Sequence, residues 1–117
     1  MEVLFDGRGS APAGLRDTAA QRLHGALRRF AWLVVRARVR MSDVNGPRGG
    51  LDKRCQVALE TATGRTLLVE SVAGDWQAAL AQAVERAGAA IARVRRRLRE
   101  IPRVRARRRA DPEALLT

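Results

Sequence analysis

Apolar spacing in this chain switches from helical to alternating at Trp32 and returns to helical at Trp76, an order that few folds accept. Upstream, Leu15, Ala19, Leu23, Leu27 and Phe30 recur every three or four residues, the spacing of one helix face. Downstream, Val35, Ala37, Val39 and Met41 alternate with Arg36, Arg38, Arg40 and Ser42. A strand sends successive side chains to opposite faces, so this segment predicts one apolar face and one arginine-bearing face. A helix must therefore hand over directly to a strand, and both must share a core.

Residues 2–6 alternate around Val3 and Phe5 and run into Gly7 and Gly9, a short strand ending in a turn. Pro12 suits the first turn of the next helix, where the amide hydrogen it lacks would have no partner. Gly25 lowers that helix's propensity without breaking it. A third strand over residues 52–61 turns Cys55, Val57 and Leu59 inward and Arg54, Gln56 and Glu60 outward. After the turn Ala62-Thr63-Gly64, residues 65–71 form a fourth, with Leu67 and Val69 on one face. Asp75 is placed to cap the last helix, whose apolar face is Trp76, Leu80, Ala83, Ala87, Ile91, Val94 and Leu98. Pro102 interrupts that pattern. The expected class is α+β in the order β-α-β-β-β-α: a four-stranded sheet with two helices packed on one face and Arg36, Arg38 and Arg40 displayed on the other. Residues 1–99 are expected to form one domain and residues 100–117 an arginine-rich, flexible tail.

The net charge of +11 comes from 23 basic and 12 acidic residues, and Lys53 is the only lysine. A GC-rich genome would account for arginine replacing lysine but not for the excess of positive charge. Guanidinium groups fit phosphate oxygens and stack on bases, so the composition points to a polyanionic partner. Residues 93–117 hold 10 basic against 3 acidic residues, most of the excess. Two basic stripes lie off the apolar faces, Arg22 and Arg29 on the first helix and Arg86, Arg93 and Arg97 on the last, and would suit the phosphates of a structured RNA.

Catalytic and metal chemistry are not indicated. The segment Asp-Val-Asn-Gly-Pro-Arg-Gly-Gly, residues 43–50, can turn sharply, and Arg48 adds charge to it. Its glycine spacing is not that of a phosphate-binding loop. Asp43 and Asp52 lack the further ligands a metal would need and are expected to orient the loop. His24 stands alone, and Cys55 has no paired cysteine and sits where a strand would bury it. Trp32 and Trp76 could stack on bases, but each opens a core-patterned segment, so packing is expected of both. The acidic start and the lack of a long apolar run predict a cytoplasmic chain with no membrane partner.

The run VRARVRMSDVNGPRGGLDKRCQVALE, residues 35–60, closely resembles the strand-loop-strand signature of the ribosome hibernation-promoting factors, the ribosome-associated inhibitor, S30AE-type or sigma-54 modulation family. LRDTAAQRLHGALRRF in the first helix and DWQAALAQAVERAGAAIARVRRRL in the last support it, so the likeness covers residues 2–99. The resemblance implies a domain similar to the double-stranded-RNA-binding fold that docks on small-subunit rRNA in the mRNA and tRNA channel. It implies translation blocked by occupancy, with no cofactor, metal or small-molecule substrate. The contacts it implies are Arg22, Arg28 and Arg29 in the first helix, Arg36, Arg38 and Arg40 in the second strand, Arg48, Lys53 and Arg54 in and after the loop, and Arg86, Arg93, Arg96 and Arg97 in the last helix. Long members add a C-terminal dimerisation domain, which 117 residues are expected not to accommodate. Gln77 stands where many relatives carry an aromatic. The competing reading is a general structured-RNA or double-stranded-RNA binding module, which makes no special demand on residues 42–54.

Overall fold

The computed structural model describes residues 1–8, 11–44 and 52–110, with side chains to residue 98. Four strands, β1 (Glu2–Gly7), β2 (Val34–Asp43), β3 (Lys53–Thr61) and β4 (Thr66–Ala73), lie side by side in chain order. β1 pairs parallel with β2, because helix α1 (Leu15–Ala26) carries the chain back across the sheet before β2 begins. β2, β3 and β4 form the expected antiparallel meander. Helix α2 (Trp76–Ala110) follows β4 and packs with α1 on the same face.

Alternation decides what that face buries. Ala37, Val39 and Met41 on β2 and Cys55, Val57 and Leu59 on β3 are buried beneath Leu15, Ala19 and Leu23 of α1 and Leu80, Ala83 and Ile91 of α2. Large aromatics are scarce, so close approach replaces bulk: Ala79, Ala83 and Ala87, four residues apart, are fully buried and bring α2 near the sheet. The buried Ser71 hydroxyl donates to the Ala79 carbonyl and ties β4 to the first turn of α2. Asp75 caps the helix as its position predicts, accepting from the Ala78 amide at 2.7 Å. Gln77 is exposed and removes nothing from the core. The turn from β3 to β4 needs Gly64, which has φ +89°.

Three expectations are corrected. Helix α1 starts at Leu15; Pro12 instead accepts from the Leu15 amide at 3.1 Å in a preceding turn. Val35 does not join the inward face of β2. Val34 pairs with Thr61 and Arg36 with Glu60, so Val35 is the extra residue of a β-bulge. The bulge shifts the alternation by one, leaving Val34 1% and Val35 55% exposed. Finally, the backbone of α2 stays helical past Pro102 to Ala110. Proline removes one amide donor and crowds the carbonyl four residues back, but the arginines and alanines that follow are strong helix formers. The expectations for Gly9, for residues 45–51 including Arg48, and for residues 111–117 lie outside the described residues.

Candidate nucleic-acid interface

The uncovered sheet face is ordered in rows across the strands. Register places Glu2, Arg36, Glu60 and Thr66 in one row, Leu4, Arg38, Ala58 and Leu68 in the next, and Asp6, Arg40, Gln56 and Glu70 in a third. Arg36 donates to Glu2 at 2.7 Å and to Glu60 at 3.3 Å. The Glu2 hydrogen bond, then the Glu60 charge, raise its pKa above the ordinary arginine value. Arg38 lies 3.7 Å from Glu60, Arg40 3.7 Å from Asp6, and Arg54 3.2 Å from Glu70. The arginines are displayed here as expected, but each faces a carboxylate. With Arg8, 3.4 Å from Asp6, five guanidiniums share four carboxylates, so most of the positive charge on this face is balanced.

Lys53 lies on the opposite, helix-covered face at the loop end of the sheet, opposite Asp43. Its ammonium reaches Asp52 at 2.8 Å and Asp43 at 2.9 Å and sits 5.3 Å from the centre of the Trp76 ring. Hydrogen bonds first to Asp52 and then to Asp43 raise its pKa. The Val44 amide also donates to the Asp52 carbonyl at 2.7 Å. Asp43 and Asp52, at the two ends of the loop, thus share the chain's single lysine as a partner. The structure does not bring Lys53 together with the exposed arginines.

The helical side is different. Arg22 on α1, Arg28 and Arg29 on the 3-10 turn that follows it, and Arg93, Arg96 and Arg97 on α2 are exposed. Among the described residues none of these six forms an ion pair. Arg86 donates to the Glu70 carbonyl at the sheet edge and is partly engaged. Arg95 lays its guanidinium over the buried Phe30 ring, 5.1 Å from its centre, so α2 and the 3-10 turn share one corner. Arg95 and the exposed Arg16 were not among the individual contacts expected from the sequence. Arg95 was detectable: four residues after the core residue Ile91, it borders the apolar face.

Trp76 is in the core, 9% exposed, but Trp32 is 61% exposed, against the expectation that both pack. Trp32 lies where the helical period has ended and β2 has not begun, so neither pattern assigns it a side. His24 is exposed. Burial pushes the Cys55 thiol up to about 12, which leaves it protonated and unreactive at neutral pH. Among the described residues no three His, Cys, Asp or Glu side chains gather as a metal site. Nor is any helix there long and apolar enough to cross a membrane.

Fold and surface together define a small basic α+β domain, one face largely charge-balanced and the other carrying arginines with no ion pair among the described residues. Residues 6–99 match the family described as Sigma 54 modulation protein / S30EA ribosomal protein, and the chain belongs to that family. Two solved structures share the fold. The N-terminal domain of Protein Y from Thermus thermophilus matches with TM-score 0.65 and 23% identity over 80% of this chain and 99% of that one. A ribosomal subunit interface protein from Coxiella burnetii matches with TM-score 0.68 and 14% identity over 81% of this chain and 98% of that one. No curated protein matches the chain.

Proposed function

We propose that the protein binds small-subunit rRNA in the mRNA and tRNA channel of cytoplasmic ribosomes and blocks translation by occupancy. One observation carries the reading: six exposed arginines with no ion pair among the described residues lie on the helical elements of a domain whose other face is largely charge-balanced. Guanidiniums without a carboxylate partner exchange counterions for phosphates at no internal cost. Contacts of this kind fix the position of a rigid domain on folded RNA without reading its bases. No bond is made or broken; the bound domain excludes mRNA and tRNA by its volume. Residues 1–99 supply the docking surface in this reading, and the arginines beyond them add attraction.

The test is binding of labelled protein to purified small subunits with and without initiator tRNA. Mutual displacement that weakens with salt is expected. Tight binding that tRNA leaves unchanged overturns the channel assignment, and equal affinity for free RNA duplexes replaces it with a general structured-RNA module.

A further inference from the structure

We propose that Trp32 is a stacking platform for one unpaired RNA base, with Arg28 and Arg29 taking the adjoining phosphates. The inference rests on RNA being the ligand of the helical side.

An indole 61% exposed gains little from packing, and this one does not owe its exposure to a loose backbone. The Phe30 amide donates to the Leu27 carbonyl at 2.9 Å and the Leu33 amide to the Phe30 carbonyl at 2.8 Å. The Ala62 amide donates to the Leu33 carbonyl at 2.7 Å, tying the segment to the turn after β3. Phe30 and Leu33, on either side, are buried. Trp32 is thus presented on a backbone fixed at both flanks, so little ordering remains to be done when a flat partner arrives.

The surroundings match a nucleotide. Arg28 and Arg29, on the turn just before, are exposed and free of ion pairs among the described residues. Arg95 adds a third guanidinium at the same corner through its contact with Phe30. A cavity of about 410 Å³ opens at the neighbouring Ala31, lined by Met1, Leu27, Arg28 and His24 but not by Trp32 itself. Gly25 lines it too, and a side chain there would meet nothing within 4 Å. A protein partner would favour a continuous apolar patch, whereas Trp32 follows two exposed arginines in the chain. A base on the indole with phosphates on the guanidiniums satisfies both, and stacking accepts any base because each has a π face.

The experiment uses the full chain and two single-stranded oligoribonucleotides of equal length, one normal and one abasic throughout. Both carry the same phosphates, so only the bases separate them, and Trp32→Ala isolates the part owed to stacking on this ring. The normal strand is expected to quench the exposed Trp32 emission and to bind about 5- to 150-fold more tightly than the abasic strand. Trp32→Ala should erase that preference and leave abasic affinity unchanged, while Trp32→Phe keeps part of it. Because the side chain is exposed, circular dichroism of both variants should match the parent protein. Equal affinity of the parent protein for the two strands overturns the inference, as does a preference that survives in Trp32→Ala. Small-subunit binding that persists alongside either result confines the failure to stacking, whereas loss of binding to every RNA sinks the RNA reading with it.

Discussion

Neutralising two arginines should have a very different effect on the two sides of this domain. Each phosphate contact contributes roughly 0.7 to 0.9 to the slope of log affinity against log salt, through release of a condensed cation. If Arg22, Arg28, Arg29, Arg93, Arg96 and Arg97 all meet phosphates, the slope for small-subunit binding is roughly −4 to −5.5. Arg28→Gln/Arg29→Gln should make it shallower by about 1.4 to 1.8, a loss of roughly 25- to 60-fold in affinity at 0.1 M salt if the affinities converge near 1 M. Arg38→Gln/Arg40→Gln removes the same formal charge from the sheet face. There Glu60 and Asp6, each 3.7 Å away, already balance the guanidiniums. Such exposed pairs are weak, so the argument rests on charge balance and not on their strength. The sheet variant should change the slope by under about 0.5. Fluorescence anisotropy of labelled protein against small subunits, from 50 to 300 mM potassium chloride, measures both slopes. A sheet-face change as large as the helical one would refute the assignment of the RNA-facing side.

The β-bulge makes opposite demands on adjacent valines. Val34→Ala should cost roughly 2 kcal/mol, while Val35→Ala should stay within about 0.5 kcal/mol, as urea denaturation of the two variants would show; comparable losses would contradict the register. Cys55 links stability to alkaline pH. Its folded pKa of about 12 lies above the ordinary 9.0, so in the unfolded chain it loses its proton first. Its contribution is full below about pH 9 and declines as pH rises toward 12, and Cys55→Ala should flatten melting temperature across that window. The native thiol should also resist thiol reagents until the chain unfolds, and prompt labelling under native conditions would contradict its burial.

What could be read from sequence was what repeats along the chain. The alternation of Cys55, Val57 and Leu59 and the helical spacing of Leu15, Ala19 and Leu23 located the elements and their buried faces, because periodicity is local. Val35 escaped because one added residue shifts the phase without altering composition, and only the facing strand reveals it. Lys53 escaped for the same reason. As the single lysine in a signature segment it resembles a phosphate contact, yet pairing sets it opposite Asp43 and under the Trp76 ring.

Charge shows the same limit, with a consequence for function. A net charge of +11 describes the chain as a whole, but folding distributes it. Glu2 and Glu60 are 58 positions apart in sequence and flank one arginine, Arg36, because β1 and β3 lie on either side of β2. Pairing across the sheet thus sets a carboxylate beside each arginine of the alternating segment. The same folding leaves Arg28 and Arg29 exposed and sets Arg95 of α2 against Phe30 between them and Trp32. On the proposed reading, a polyanion meeting this domain encounters a largely balanced face and a cationic one, and long-range attraction orients it before any short-range contact forms. Sidedness, more than total charge, therefore governs how such a domain selects its approach to RNA.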